Sequence, residues 1–371
     1  MRKRRKPVSS EKTTVISEKQ PSGAWSLFWA VLLVAGVGAW LYCLLAGDGA
    51  RAWRAVLINF IYFTPLAAGM VVWPAIVKVS NGKWTGRTHW PALSAVGFAP
   101  VSLLVLLGLW LGREQWVPWL HATDLPQGWW FNAVFVFVRD GLALALFWML
   151  AWVYFRRGHE GESKTFAGWF IFAYTMIMSL VGFDLVMGLD PHWFSALFGI
   201  YFFISGLYAA VVAWTVLVII EHPETSKDKL HDLGKLVVAF SLLTTYMMFS
   251  QLLVIWYENL PAEVRFVIPR LTRPPWKWVS AVILAVVYLG PLVLLLTRWS
   301  KRNRAYLGTV VVLVLLGLWG ERWWLVTPTL GGEMSIGLSE VGATLAFLAA
   351  MVLAVRTAGK WSPGPEAGEA Q

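Results

Sequence analysis

Phe183-Asp-Leu-Val-Met-Gly-Leu-Asp-Pro-His-Trp-Phe194 sets Asp184, Asp190 and His192 at the short break between two long apolar runs, 165–189 and 192–220. Each run exceeds the ~20 helical residues needed to cross about 30 Å of hydrocarbon. Carboxylates at such a place are costly and commonly functional. The same apolar pattern recurs outward in both directions, and ten spans are expected: 24–46, 54–78, 91–111, 129–155, 165–189, 192–220, 230–258, 276–298, 304–325 and 337–356. The runs are continuously apolar without two-residue alternation, which favours helices over barrel strands. The expected fold is an all-α polytopic membrane protein, with a basic arm over 1–23, a membrane domain over 24–356 and a polar, disordered tail over 357–371.

The composition agrees, with 58% hydrophobic and 14% charged residues. The formal charge of +10 is a matter of placement. With the N-terminus inside, about 22 of the 31 Lys and Arg residues fall on inside segments, as the positive-inside rule requires. The basic balance therefore reports topology and contact with anionic lipid, and no nucleic-acid partner is expected. Both termini are expected in the cytoplasm, with the protein multi-pass in the inner membrane of a bacterium. The opening Met1–Gln20 reads as a cytoplasmic arm, because its basic run leads into further polar sequence and then a full-length span without a small-residue cleavage site.

Cofactor chemistry is limited by residue supply. The single cysteine, Cys43, reads as a filler in the first span and excludes a four-cysteine cluster or an intrachain disulfide. The six histidines (89, 121, 159, 192, 222 and 231) all fall in loops or at span ends, where no pair would clamp a transmembrane haem. No cofactor, metal or catalytic residue is expected on this chain. Of the 25 tryptophans, many sit at span ends, among them Trp84, Trp116, Trp129, Trp130, Trp278 and Trp324. They read as aromatic belts at the two interfaces.

The ionisable groups within spans form a short set. Arg139 and Asp140 lie within span four, Asp184 near one end of span five, Glu258 at the end of span seven, Glu321 and Arg322 near the end of span nine, and Glu340 in the first turn of span ten. Neighbours on a helix project about 100° apart, so Arg139 is expected to meet an acid on another helix rather than Asp140. Pro191 is suited to the first turn of span six, with Asp190 as its N-cap and His192 just behind. Tyr174, Thr175 and Ser179 on span five face Tyr201, Ser205 and Tyr208 on span six; such a strip suits either ordered water or ordinary hydroxyl-to-backbone bonding. Gln251, deep in span seven, needs interhelical partners. Asp184, Asp140, Arg139, His192, Gln251, Glu258 and Glu321 are the candidates for a proton path, with Asp184 the leading one. Arg265, Arg270 and Arg273 in the loop 259–275 offer a surface for an acidic partner.

Three stretches, in order, share a family pattern. Ser179-Leu-Val-Gly-Phe-Asp-Leu-Val-Met-Gly-Leu-Asp-Pro-His-Trp-Phe-Ser195, continuing through Phe198-Gly-Ile-Tyr-Phe-Phe203, is the first. Phe249-Ser-Gln-Leu-Leu-Val-Ile-Trp-Tyr-Glu-Asn-Leu-Pro261 is the second and Trp324-Leu-Val-Thr-Pro328 the third. Together they resemble the smaller ten-helix membrane subunit of bacterial alternative complex III, a quinol:cytochrome c (or other periplasmic acceptor) oxidoreductase, and more distantly the membrane subunits of polysulfide-reductase type. The resemblance implies two four-helix bundles, spans two to five and six to nine, with spans one and ten peripheral. It also implies a larger related polytopic subunit, an iron–sulfur subunit and haem c subunits as partners, with quinone, haem c and iron–sulfur clusters held by them. The subunit resembled carries no redox centre and is assigned a structural and proton-path role. The family pattern is broken at Leu185, at Gly188, in Val287-Tyr-Leu-Gly-Pro291, where the family places a histidine before the proline, and at Ala262-Glu263, where the usual acidic pair is reduced. A quinone-binding anchor and a free-standing transporter are the rival expectations.

Overall fold

The computed structural model describes residues 23–82, 89–122, 125, 128–161 and 163–361. The expected basic arm, apart from Gly23, the tail from residue 362 and Trp84 lie outside the described residues. Among the described residues ten helices are long and apolar enough to cross a membrane, so the chain is an all-α, multi-pass membrane protein. They are α1 Gly23–Leu45, α2 Gly49–Val79, α3 Trp90–Leu111, α4 Ala133–Gly161, α5 Lys164–Leu185, α6 Phe198–Glu221, α7 Lys227–Glu258, α8 Trp276–Leu294, α9 Arg304–Val326 and α10 Leu338–Gly359.

Two helices organise the rest. α2 packs on α3, α4 and α5, α6 packs on α7 and α9, and α2 and α6 cross each other at the centre. Helices in a bilayer gain little from excluding water, so close backbone approach through small residues drives their association. Gly69 and Gly206 supply it here: a Cβ on Gly69 would stand 2.7 Å from the Ala210 Cβ, and one on Gly206 2.8 Å from the Pro65 Cβ. The result is two four-helix groups joined at α2 and α6. The first and last spans, expected to be peripheral, differ in how they are held. α10 lies against α2 and the start of α3, and α1 is held almost wholly by α10. Gly36, the one buried residue of α1, meets Gly342 and Ala346; a Cβ on Gly36 would lie 2.6 Å from the Gly342 carbonyl oxygen.

Helix ends are closed by guanidinium groups as well as by caps. The last carbonyls of a helix have no partner within it and carry partial negative charge. Arg304 donates to the carbonyls of Ile219 and His222 at the end of α6, both at 2.7 Å. Arg51, at the start of α2, makes a two-pronged contact with Glu340 at 2.9 and 3.0 Å, and Glu340 also accepts from the Gly337 amide. That pair ties the entry of α2 to the entry of α10.

Three expectations need correction. α6 begins at Phe198, not at 192, and Asp190 is no helix cap. Its Oδ1 accepts from the His192 amide at 3.3 Å and its Oδ2 pairs with Arg265 at 3.0 Å, so the segment 190–197 is a turn stapled to a neighbouring element. The presumed loop 259–275 contains a short helix, Pro261–Leu271. Val264, Val267, Ile268 and Leu271 repeat at helical spacing, a signal for an amphipathic helix. Of the three arginines expected on this loop, Arg265 is engaged by Asp190, Arg270 is buried and Arg273 is exposed. Finally, the tryptophan belts are only partial. Trp129 and Trp278 are exposed, whereas Trp116, Trp119 and Trp324 are buried within the protein.

Candidate functional site

Strands of chemistry converge at one end of the bundle, where α4, α6 and α8 begin and α5, α7 and α9 finish. Among the described residues, and apart from the Arg51–Glu340 pair, two buried ionic clusters lie there, one in each four-helix group.

The first is built on α4 and α5. Arg139 Nη2 donates to Asp184 Oδ2 at 2.5 Å, and Trp130 Nε1 donates to Asp184 Oδ1 at 2.8 Å. The guanidinium lies over the Trp130 ring, 3.9 Å from its centroid, which adds a cation–π contact. Asn132 opens α4 by accepting from the Phe135 amide, and this fixes Trp130 just ahead of the helix. Asp140, next in sequence, points elsewhere. Its nearer approach to the Arg139 Nε is 3.8 Å, and neither of its carboxylate oxygens has a hydrogen-bond partner although the residue is 1% exposed. Asp184 and Arg139 are the charges that bear on it. Asp184 is thus an anchored carboxylate and Asp140 an unanchored one.

The second cluster is built on α6, α8 and α9. Tyr201 and Tyr288 both donate to Glu321 Oε1, and their hydroxyls are 3.3 Å apart. Glu321 is wholly buried, and its Oε2 has no hydrogen-bond partner. Arg322 Nη1 lies 3.6 Å from that oxygen, while its Nη2 donates to Ser205 Oγ at 2.5 Å.

Why Tyr288 reaches Glu321 follows from Pro291. Proline has no N–H to give the carbonyl four residues earlier and crowds it, so α8 passes through a π-helical turn at Leu284–Leu289. The freed Val287 carbonyl accepts from the Tyr208 hydroxyl at 3.0 Å, and the Tyr288 carbonyl accepts from Ser241 Oγ at 2.6 Å. Single-turn π segments often mark functional positions.

The remaining candidates separate. His192 is exposed in the turn after α5, and Glu258 is exposed at the end of α7; neither joins a cluster. Gln251 is buried in the wall of a cavity, and its Nε2 has no partner. The hydroxyl strip of α5 and α6 does not form a chain. Thr175 bonds to Ile171, Ser179 to Thr175 and Ser205 to Phe202, each to its own helix backbone, and Tyr174 bonds to the Phe203 carbonyl. Ser205, expected in the hydroxyl strip, completes the second cluster instead, and Trp130 and Tyr288 were not legible as members: Trp130 reads as a belt residue and Tyr288 as one more aromatic in an apolar run.

Arg270 supports the second cluster from outside the spans. It donates to the carbonyls of Phe266, Trp324 and Leu325 and to Thr329 Oγ1, at 2.6–3.2 Å. Its guanidinium also covers the Phe266 ring at 3.6 Å. Burial pulls its pKa below the ordinary arginine value, and the negative charge of Asp190 opposes that shift. The residue closes the end of α9, which carries Glu321, and holds the Pro261–Leu271 helix onto it.

Among the described residues no group of three or more His, Cys, Asp and Glu side chains gathers where a metal would sit. No protein-family model matches the chain, and no curated protein matches it.

Proposed function

We propose that this chain is an integral subunit of a membrane-bound electron-transport complex, resembling the smaller membrane subunit of alternative complex III, and that it moves protons rather than electrons. The observation that carries the reading is Asp140. A carboxylate that is almost fully buried and accepts no hydrogen bond is poorly stabilised as an anion, yet a strong donor, Arg139, and a second carboxylate, Asp184, stand beside it. The adjacent Arg139 cation offsets part of the cost of that charge, which brings both protonation states of Asp140 within reach. Asp184 holds Arg139 in place while Asp140 exchanges the proton. Glu321, with one oxygen held by two tyrosines and the other free of hydrogen bonds, repeats the arrangement in the second group of helices.

Both clusters belong to the same half of the bundle, and several buried polar groups deeper in it, though not Thr64, are bonded to backbone or to each other. Tyr62 donates to the Leu315 carbonyl and Asn59 accepts from Trp319 Nε1. This supports a half-path that opens at one face, with redox chemistry residing in partners: a larger polytopic subunit, an iron–sulfur subunit and haem c subunits. In this reading the protein lies in the bacterial inner membrane with both termini cytoplasmic, and the clusters face the outer side.

The test is to purify the protein from native membranes, identify what accompanies it, and follow proton release on turnover in liposomes. Haem c and iron–sulfur proteins are expected with it, and D140N is expected to abolish proton release while electron transfer continues. Recovery of the chain without redox partners, or unchanged proton release in D140N, overturns the reading.

A further inference from the structure

A cavity of about 350 Å³ lies between the start of α6, the last turns of α7, α8 and the Pro261–Leu271 helix. Its wall is nearly all hydrocarbon and aromatic ring, and it opens sideways where Phe249 of α7 and Leu284 of α8 are exposed. Most polar side chains of the wall are already engaged. Tyr201 and Tyr288 donate to Glu321, Thr245 to the Ser241 carbonyl, and Ser280 to the Arg270 carbonyl. Two are not. Gln251 is 7% exposed and its Nε2 has no hydrogen-bond partner, a state in which native proteins seldom leave a buried amide. Lys277, in the first turn of α8, rests its ammonium 4.8 Å from the Trp278 ring centroid and meets no carboxylate among the described residues. The two groups stand at different depths. Trp278 is exposed beside Lys277, and tryptophan at a span end marks the level of the lipid heads. Gln251 lies about two turns, ~10 Å, inside the end of α7.

We propose that this cavity holds one glycerophospholipid as a specific, bound ligand. The vertical order of the site is the order of the molecule: cation, amide and hydrocarbon wall answer phosphate, ester and acyl chain. The phosphate pairs with the Lys277 ammonium at the surface, a charge-assisted contact. An ester carbonyl accepts from Gln251 Nε2, and that chain fills the apolar space around it. The second chain leaves between Phe249 and Leu284 into the surrounding hydrocarbon. A free fatty acid would give Lys277 a carboxylate but bring no carbonyl to the depth of Gln251. The site stands on residues other than Asp140 and Asp184, so it holds or fails apart from the proton reading.

The probe is a phosphatidylglycerol with a diazirine midway along one acyl chain. It is photolysed with the full-length protein purified from native membranes in mild detergent, together with whatever accompanies it. Adducts are expected on Ile255, Ile283 and Tyr288, which line the cavity and are buried. Adducts confined to the exposed faces of α7 and α8 are ordinary bilayer contact and overturn the proposal. Competition then reads each contact. Dioleoylphosphatidylglycerol should suppress the buried adducts about tenfold more effectively than its ether-linked analogue, which keeps phosphate and chains but lacks the ester carbonyl. Tenfold corresponds to one ~1.4 kcal/mol contact. In Q251L the two lipids should compete equally, and K277Q should weaken both while keeping their ratio. Thermal unfolding checks both variants; if Q251L does not fold, the ester–ether comparison in the wild type and in K277Q decides. Equal competition by ester and ether in the wild type, or a ratio unchanged in folded Q251L, overturns the proposal. So does suppression by oleic acid or decylbenzoquinone as strong as by the phospholipid. D140N should leave labelling intact.

Discussion

Arg139 stands 2.5 Å from Asp184 on the neighbouring helix and 3.8 Å from Asp140, its own neighbour in sequence. The preference is geometric, because consecutive side chains on a helix diverge while α4 and α5 face each other. It leaves one aspartate anchored and the other free to change its protonation state.

Breaking the anchored pair should be expensive. R139Q leaves Asp184 buried with Trp130 as its one remaining donor, and a loss of about 3–5 kcal/mol is expected for stranding one member of a buried pair. Replacing both, as R139M with D184L, should recover most of that loss, because two desolvated charges go at once. Unfolding in mild detergent, arranged as a double-mutant cycle, measures both.

Asp140 should behave in the opposite way. Neither of its oxygens accepts a hydrogen bond, so D140N should change stability by less than about 1 kcal/mol. D184N should cost clearly more, since Arg139 and Trp130 lose a charged acceptor. Thermal unfolding of the two variants side by side separates a proton carrier from a structural acid.

The Tyr208–Pro291 relationship offers a cleaner energetic test. Y208F takes the 3.0 Å donor from the Val287 carbonyl and leaves it a 3.4 Å bond from Ser241 Oγ, so a cost at the lower end of about 1–3 kcal/mol is expected. In a P291A background an amide N–H is restored to the helix and can serve that carbonyl. The cost of Y208F should then fall below about 1 kcal/mol. Equal costs in both backgrounds would show that the proline does not create the need for Tyr208.

Arg270 should not tolerate lysine. Its guanidinium reaches three carbonyls and a hydroxyl at once, a fork that an ammonium group cannot reproduce. R270K is expected to cost on the order of 2 kcal/mol and to make the Pro261–Leu271 helix more accessible to protease. Limited proteolysis of intact and variant protein reads this directly.

The first helix should depend on one small contact. Gly36→Val would force a side chain against the Gly342 carbonyl, 2.6 Å from the added Cβ, where overpacking costs about 1–3 kcal/mol. Because α1 is held mainly by α10, cross-linking between cysteines placed in these two helices should fall in the variant, while the rest of the bundle unfolds as before.

The sequence by itself determined that this is a ten-span helical membrane protein, and nearly where each span lies. Hydrophobic length is a local property, set by the thickness of hydrocarbon. It also marked Asp140, Asp184, Gln251 and Glu321 as misplaced polar groups, since the cost of burying them is written in their immediate neighbours. Which acid takes Arg139, which tyrosines hold Glu321, and which amide is left empty in a cavity were decided only by tertiary structure. Those outcomes depend on helix rotation and on contacts between residues 33 to 120 positions apart, and a period of 3.6 does not fix either. Tyr288 shows the limit well. Its sequence surroundings are apolar and ordinary, and Pro291, through the π-helical turn before it, turns that side chain toward a glutamate on another helix. The same physics demoted His192 and Glu258, which the chain order places beside the clusters and the fold leaves at the surface, and Asp190, which it pairs with Arg265 instead.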